Sequence, residues 1–370
     1  LVSDRPLGVF LSGGIDSSAV LGMMREFAAG KIKTFSVGYE ATPEAEKYNA
    51  DFELAARSAA YFGTEHQPLR ISGKDVAECF EKIVYQMDEP ISNHIQPSTF
   101  LLAKFAKPQI TVALGGDGGD ELFGGYDRYW YSAFLDRLQS LPAVLRSRWL
   151  LRFAEQWFGK TGLAEKSVLG QDVERFLSFM SQKETRLAEF LQPEVNRPDA
   201  GREHFAPFFE TRWRDFTNQL MAVDAQTWLA DESLARTDKM TMAHGLEERV
   251  PLLDPRLLEL AFRIPSKMKL DSRTLGKRIL RAALKDYIPP FVLQEKKRGF
   301  FSPASKWLRG ELLPLAQELL SDGYAPGSER YLNLTAARRI LDAHVEKCAY
   351  GLTQIWAIMT FQAWYRHYFA

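Results

Sequence analysis

The stretch L-G-V-F-L-S-G-G-I-D-S, residues 7–17, decides the fold class of this 370-residue chain. Its first five residues are nearly all apolar, as expected for a strand that is covered on both faces of a parallel sheet. Residues 17–29 follow with apolar side chains spaced i, i+3, i+4 and i+7, which is the period of an amphipathic helix. The glycine-rich turn between strand and helix therefore predicts an anion-binding turn at the carboxyl end of a parallel strand.

The same alternation of strand and helix continues outward from this stretch. The further predicted strands are residues 34–37, 65–71 and 110–114, and the further predicted helices are residues 51–62, 75–87 and 97–105. Helical periodicity then takes over, at residues 144–158, 256–262, 275–285 and 351–368. We therefore predict an α/β fold, with a parallel-sheet, Rossmann-like nucleotide-binding lobe over residues 1–126 and a mostly helical lobe over residues 127–370.

The charge balance, the cysteines and the length of the apolar runs argue against several classes of protein. The chain has 47 Lys and Arg against 47 Asp and Glu, and a dedicated nucleic-acid binder usually shows a basic excess, so we expect no nucleic-acid partner. Cys79 and Cys348 belong to no C-x-x-C pair, which argues against a thiolate zinc site and a disulfide framework. No apolar run approaches the roughly 18 residues of a membrane span. These features predict a cytoplasmic protein without a membrane partner.

The turn after the first strand is the first candidate site. Gly13 and Gly14 let the backbone approach a phosphate closely, and Ser12 and Ser17 can donate hydroxyl hydrogen bonds to it. Asp16 would repel a phosphate unless a divalent metal lies between the two charges. A plain strand-to-helix turn is the alternative, and the full S-G-G-x-D-S pattern directly after an apolar strand makes it much the weaker one.

A second glycine-rich loop, G-G-D-G-G-D-E-L-F-G-G-Y at residues 115–126, follows the fourth predicted strand. It holds six glycines and three carboxylates in twelve residues, a density that a calcium loop of the EF-hand kind does not explain. Parallel strands of one sheet bring both loops to the same edge, where they could share one Mg–nucleotide. Asp16 and Asp120 are then the natural pair of metal ligands.

Neither loop has the spacing of a kinase P-loop or of a dinucleotide fingerprint. The first resembles the pyrophosphate loop (PP-loop) of N-type ATP pyrophosphatases, which cleave ATP between the α- and β-phosphates. Both loops together resemble the synthetase (C-terminal) domain of glutamine-hydrolysing asparagine synthetases. Further stretches that are similar to this family, in the same order, are residues 35–38, 88–90, 238–240, 248–254, 297–300 and 307–310.

The resemblance implies a two-step reaction. ATP activates a carboxylate as an acyl-adenylate and releases pyrophosphate, and ammonia then attacks to give an amide and AMP. ATP and Mg²⁺ are the implied cofactors, and L-aspartate is the first choice of acceptor. β-Lactam synthetases and lasso-peptide cyclases share the architecture, so an amide-forming ligase with another acceptor, such as a sugar acid, is the alternative.

The resemblance also bears on partners. The family carries a glutaminase domain N-terminal to the synthetase domain, and its first residue is a cysteine. Neither cysteine here lies near Leu1, so we expect that domain to be absent from this chain, which would use free ammonia. An oligomer is compatible with the sequence. A tRNA-modifying ATP pyrophosphatase is a further alternative, which the neutral charge and the distant cysteines disfavour.

The family's nucleotide contacts transfer onto matching positions of this sequence. The resemblance implies that Leu11 and Val37 flank the adenine, and that Gly115 and Gly116 contact the nucleotide through their backbone. These four positions join the phosphate-binding turn after the first strand as the predicted ATP site.

The family's catalytic positions transfer in the same way. Lys297 would neutralise charge on the α-phosphate and the leaving pyrophosphate, and Asp117 would help the incoming ammonia to lose a proton. This sequence departs from the best-known members at Gly115, where they have Ser, at Asp117, where they have Glu, and at Asn93, where many have Asp. Family position also assigns four residues to a possible site wall: Glu89, Asp238, Glu248 and Arg249.

A basic segment at residues 263–309 supports a polyphosphate ligand. It contains thirteen Lys and Arg residues and three acidic ones, a local charge of +10 in a neutral chain. A basic wall over the site is the functional interpretation, and a solvated surface is the expected one for most of these side chains. Lys297 is the member that the family resemblance marks.

Overall fold

The computed structural model describes residues 2–40, 45–142, 163–179, 184–270, 276–296, 299 and 301–370. Five strands form one sheet in which every neighbouring pair is parallel. The strands are β1 (Leu7–Phe10), β2 (Lys33–Tyr39), β3 (Glu65–Ile71), β4 (Val112–Leu114) and β5 (Glu247–Arg249). Their order across the sheet is β3-β2-β1-β4-β5. The predicted α/β fold with a parallel sheet is confirmed.

Helices make up most of the remaining described chain. Up to the end of the second glycine loop and its following helix they are α1 (Ile15–Phe27), α2 (Ala45–Phe62), α3 (Gly73–Met87), α4 (Gln96–Ala106), α5 (Gly119–Phe123) and α6 (Asp127–Gln139). The next are α7 (Leu163–Lys166), α8 (Val173–Leu177), α9 (Glu184–Leu187), α10 (Ala200–Phe205), α11 (Phe216–Gln226), a π-helix (Trp228–Leu234) and α12 (Ala235–Met242). After β5 come α13 (Pro255–Arg263), α14 (Ser266–Lys269), α15 (Arg278–Ala283), α16 (Pro290–Gln294), α17 (Ala304–Trp307), α18 (Leu313–Leu319), α19 (Leu334–Val345) and α20 (Leu352–Phe369).

The predicted elements agree with this list apart from three differences. The helix predicted over residues 144–158 lies outside the described residues. The helix predicted over residues 275–285 begins only at Arg278, because Gly276 and Lys277 before it both have positive φ. Strand β5 was not predicted, since a three-residue Glu-Glu-Arg segment shows no apolar alternation. It joins the sheet from far beyond residue 126, and the domain boundary at that residue stays a prediction.

The strand order places the two glycine loops side by side. From β1 the chain runs outward through β2 and β3, then returns to the other side of β1 for β4 and β5. The order therefore reverses between β1 and β4, where Gly8 pairs with Ala113. In open parallel sheets, ligands bind in the crevice at this point, outside the carboxyl ends of the strands. Both loops begin there.

The C-terminal helix α20 anchors the helical part of the chain to the sheet lobe. The helix predicted over residues 351–368 is confirmed, and Leu352, Ile355, Trp356, Met359 and Ala363 on it are all buried. The helix packs on α3, where the Trp356 ring meets the Phe80 ring edge-on at 5.5 Å between centroids. This contact closes one large apolar core over the β3 side of the sheet.

Two structural features concern the predicted cellular compartment and the predicted absence of a membrane partner. Cys79 is buried and Cys348 exposed, and neither forms a disulfide. Among the helices that the structure describes, none combines the length and the apolar character needed to cross a bilayer.

Candidate functional site

The turn after β1 is held by its own hydroxyl groups. The Ser12 amide donates to Ser17 Oγ at 3.2 Å, and the two hydroxyl oxygens lie 3.0 Å apart. Gly13 between them has φ +77°, a conformation that favours glycine. At Gly14 no described side chain caps the start of α1, so the first amides of that helix stay open to a ligand in the pocket that this turn lines.

The second loop packs directly onto this turn. A Cβ at Gly116 would lie 2.7 Å from the Ser17 amide nitrogen, and a Cβ at Gly119 would lie 2.2 Å from Asp16 Oδ1. Both distances are shorter than any normal contact, so a side chain at either position would force the loops apart. The structure thus brings together the two loops that the sequence predicted to share one ligand.

The two predicted metal ligands converge on one lysine. The Lys277 ammonium contacts Asp16 Oδ2 and lies 2.7 Å from Asp120 Oδ1. Its side chain is 1% exposed, so this triad is shielded from water on the lysine side. Asp16 and Asp120 come from the ends of α1 and α5 that face the sheet, and Lys277 comes from the turn before α15. The structure therefore places a positive charge between the two carboxylates.

The sequence predicts Lys277 only as one of the thirteen basic residues in its segment. Lys297, the basic residue that the family resemblance marks, lies outside the described residues. One local signal could have separated Lys277 from its neighbours: it follows a glycine immediately before a short amphipathic helix, where a turn aims the side chain back at the sheet.

The Asp16–Asp120 pair fits a magnesium ion that also binds phosphate. Asp16 Oδ1 is buried and has no hydrogen-bond partner among the described residues, so one hard oxygen ligand is free. The described residues contain no group of three His, Cys, Asp or Glu side chains that could hold a metal ion. Magnesium commonly takes one or two protein carboxylates and completes its shell with waters and substrate phosphates, which matches this donor set.

A second pair of carboxyl groups, Asp117 and Glu248, lies beside the first. Strand β5 carries Glu248 to this position because it pairs with β4. The Gly115 amide, directly after β4, donates to the Arg249 carbonyl at 2.8 Å and extends that pairing. A Cβ at Gly115 would lie 1.8 Å from Glu248 Oε1 and 3.2 Å from Asp117 Oδ2. The glycine at 115, where the best-known family members have Ser, thus leaves room for the Glu248 carboxyl.

Burial changes the protonation of this second pair. Loss of water raises the pKa of Glu248 well above its ordinary value, and the neighbouring Asp117 raises it further. Burial also raises the pKa of Asp117, against the opposing effects of the Arg236 guanidinium and the Ser233 hydroxyl. Two adjacent carboxyl groups that both resist ionisation are suited to share one proton.

The π-helix and α12 supply a polar wall behind this pair. Ser233 donates to Asp117 Oδ1 at 3.2 Å, and Arg236 donates to Ser233 Oγ at 3.2 Å and to Glu232 Oε1 at 2.8 Å. Asn93, one of the departures from the family, donates to the same Glu232 oxygen at 2.7 Å. None of Glu232, Ser233 and Arg236 is among the predicted site residues. Single π-helical turns frequently occur at functional sites, but the sequence gives no local sign of one.

Glu121 sits behind the metal-ligand pair. Its side chain is buried, and burial together with the charge of Asp120 raises its pKa to about 7. The Tyr126 hydroxyl donates to Glu121 Oε1 at 2.6 Å, which ties the end of the glycine loop to its middle.

The remaining predicted positions differ in their exposure. Leu11 is buried in the core between sheet and helices, so a nucleotide could contact only its backbone, whereas Val37 is half-buried. Glu89 and Asp238 are exposed. The Arg249 guanidinium donates to the Glu247 carboxylate and to the Val2 carbonyl. Of the four predicted wall residues, Glu248 lies beside Asp117, and a place for the other three in the site wall stays a prediction.

Comparison with known proteins found a matching family model and several similar proteins. The family model described as Asparagine synthase matches residues 1–366. Asparagine synthetase [glutamine-hydrolyzing] 1 of Bacillus subtilis is 32% identical over 98% of this chain and 56% of its own length. A putative asparagine synthetase [glutamine-hydrolyzing] of Mycobacterium bovis is 31% identical over 98% of this chain and 55% of its own length. Amidase chry2 of Gibberella zeae is 25% identical over 87% of this chain and 53% of its own length. The chain therefore spans about half the length of these relatives.

Proposed function

The chain belongs to the asparagine synthase family, and on that premise we propose that it joins ammonia to a carboxylate in an ATP-dependent reaction. The carboxylate is activated as an acyl-adenylate with release of pyrophosphate, and the amide and AMP are the products. One observation carries the proposal: two glycine-rich loops meet at the reversal point of a parallel sheet and present Asp16 and Asp120 to one lysine.

The phosphates are proposed to bind in the pocket lined by the turn after β1. The open amides of α1 and the hydroxyls of Ser12 and Ser17 are suited to phosphate oxygens. Asp16 and Asp120 would hold Mg²⁺, which supplies positive charge to the phosphates when bound. The Lys277 ammonium, held beside these carboxylates, would stabilise the charge that develops on the leaving pyrophosphate, as a positioned cation does. The similar role predicted for Lys297 stays a prediction.

The Asp117–Glu248 pair is proposed to handle the proton of the second step. An ammonium ion must lose a proton before its nitrogen can attack the acyl-adenylate, so a base is needed beside the incoming nitrogen. A carboxyl pair that shares one proton can accept another without placing two full negative charges in a buried site. Ser233 holds Asp117 in place for this task through its hydroxyl.

The acceptor is proposed to be L-aspartate. The Arg236 guanidinium lies behind the carboxyl pair and is suited to a second carboxylate on the acceptor, since arginine binds carboxylates through two parallel hydrogen bonds. A different carboxylate is the second candidate, because the relative from Gibberella zeae carries the name of an amidase. Because the relatives at 31–32% identity are about twice as long, we further propose a glutaminase domain as the ammonia source in the whole protein.

The free cysteines agree with a reducing compartment, so we propose that the protein acts in the cytoplasm.

A product assay on this chain tests the proposal. The chain is incubated with ATP, Mg²⁺, ammonium and one carboxylate at a time, with L-aspartate, L-glutamate, a β-amino acid and a sugar acid as the panel. AMP and pyrophosphate should form in equal amounts with L-aspartate, and glutamine should not replace ammonium. Formation of ADP and phosphate would overturn the reaction class, and activity with another member of the panel would overturn the choice of acceptor alone.

A further inference from the structure

Arg281 donates hydrogen bonds to the backbone on both sides of Lys277, an arrangement that we call the clasp. Its Nε donates to the Gly276 carbonyl at 3.0 Å, and its own amide donates to the Lys277 carbonyl at 2.9 Å. The two peptide groups that flank the Lys277 Cα are thus both bonded to one residue. Arg281 lies on α15, in the first turn after that lysine.

The backbone at this point needs such support. Gly276 has φ +54° and Lys277 has φ +49°, so two successive residues adopt the left-handed conformation. A residue with a Cβ is uncommon there and keeps that conformation only where its surroundings impose it. The conformation directs the Lys277 side chain into the core, where its ammonium meets Asp16 and Asp120.

The other end of the Arg281 side chain is tied to a second segment. Its terminal nitrogens donate to the Leu293 carbonyl at 2.5 Å and to the Glu295 carbonyl at 3.1 Å. That segment ends α16, whose Val292 is buried in the same core cluster as Leu280 of α15. A planar guanidinium can serve several carbonyls in fixed directions, whereas the ammonium of a lysine cannot span them. The clasp is therefore anchored to packed structure on both sides.

We propose that Arg281 is a positioning residue that holds the left-handed turn at Gly276 and Lys277 and so keeps the Lys277 ammonium between Asp16 and Asp120. The geometry of the clasp stands independently of the reaction. Its consequence for catalysis rests on the proposed function, because there the ammonium must lie beside the phosphates. The guanidinium acts here through its hydrogen-bond directions and not through its charge alone.

Chemical labelling of lysines in the nucleotide-free protein tests the clasp without an activity assay. The wild-type chain and the variants Arg281→Lys and Arg281→Gln are treated with an acetylating succinimidyl ester, and acetylation of each lysine is followed by peptide mass spectrometry. Arg278→Gln is the matched control, since it removes an exposed arginine three residues away on the same helix. Lys269, fully buried in the helical part, reports any general loosening of the fold.

In both Arg281 variants, Lys277 should be acetylated about tenfold faster than in wild type. The loss of one charged hydrogen bond favours local opening of the turn at Lys277 by about that factor. Lys269 should be unchanged in all variants, and Arg278→Gln should match wild type at Lys277. An unchanged rate at Lys277 in Arg281→Lys would overturn the proposal. An equal rise at Lys277 and Lys269 would also overturn it, since Arg281 would then support the whole fold.

A second measurement joins the clasp to catalysis. Arg281→Lys should slow ATP–pyrophosphate exchange in the wild-type background and have no further effect in a Lys277→Met background, because both changes remove the same positioned ammonium. Independent, additive losses would show that Arg281 does not act through Lys277. If the wild-type chain shows no exchange at all, the proposed function fails while the labelling result still decides the role of Arg281.

Discussion

Two pairs of carboxyl groups lie at one edge of the sheet, and they differ in what stands between them. Asp16 and Asp120 meet on a buried ammonium, that of Lys277. Asp117 and Glu248 meet over a glycine, with the Ser233 hydroxyl between Asp117 and the Arg236 guanidinium, and burial raises the pKa of both carboxyl groups. The first pair is therefore suited to bind a positive charge and the second to bind a proton. Neighbouring acids acquire different chemistry from their surroundings, as in other sites where two carboxyl groups divide two tasks.

The largest effect is expected on the proton-binding pair. Asp117→Asn should slow amide formation from ammonium by about 10²–10⁴-fold, the usual contribution of a positioned base. ATP–pyrophosphate exchange should fall far less, because that step precedes attack by ammonia. The two rates, measured on the same preparation, separate the steps. Equal losses in both would place Asp117 on the phosphate side and remove the distinction between the pairs.

The second-largest effect is expected when the Lys277 ammonium is removed from the Asp16–Asp120 pair. Lys277→Met should lower ATP–pyrophosphate exchange by about 10²–10³-fold, as for the loss of one contact to a developing charge. Lys285→Met is the control. It removes an exposed lysine that lies just beyond the end of α15, the helix that begins after Lys277. A Lys277→Met protein as active as wild type would show that this ammonium only compensates the two carboxylates.

A change to the metal ligands should have a smaller effect. Asp16→Asn removes a charge but keeps the size of the side chain, so the affinity for Mg–ATP should fall by about 10- to 100-fold, as for disturbed metal ligation. Titration calorimetry at several Mg²⁺ concentrations measures this, and the exposed Asp286→Asn serves as control. Binding that weakens equally with and without Mg²⁺ would argue against a metal at Asp16.

The smallest expected effect is on the pH dependence of stability. Because the folded-state pKa of Glu248 is raised above its ordinary value of 4.5, the folded chain keeps a proton that the unfolded chain has lost. The free energy of unfolding should therefore fall as pH rises above about 4.5 and through the raised pKa of Glu248. Glu248→Gln should flatten this slope in urea titrations, and the exposed neighbour Glu247→Gln should leave it intact. A steeper slope in Glu248→Gln would contradict the assigned protonation.

The contrast between the two carboxyl pairs also shows which parts of the site can be predicted from the sequence. The glycine loops, their strands and the residues Asp16, Asp117 and Asp120 are local patterns, and the structure places them as expected at the edge of a parallel sheet. Lys277 depends on a turn 157 residues beyond Asp120, and only the folded chain shows which of thirteen basic residues reaches the carboxylates. Ser233 depends on a π-helix, Arg236 on the helix that follows it, and Glu248 on a three-residue polar strand. Neither the π-helix nor the strand has a period that a sequence displays.

The location of the shared proton tests the contrast between the two pairs most directly. Infrared difference spectra of wild type minus Glu248→Gln near neutral pH should contain a carbonyl band from a protonated carboxyl group, because the contribution of Glu121, whose pKa is about 7, is common to both proteins and cancels. The same band should remain in Asp16→Asn, because the first pair binds a cation and holds no proton. Absence of this band from the difference spectrum, or its loss in Asp16→Asn, would contradict the account.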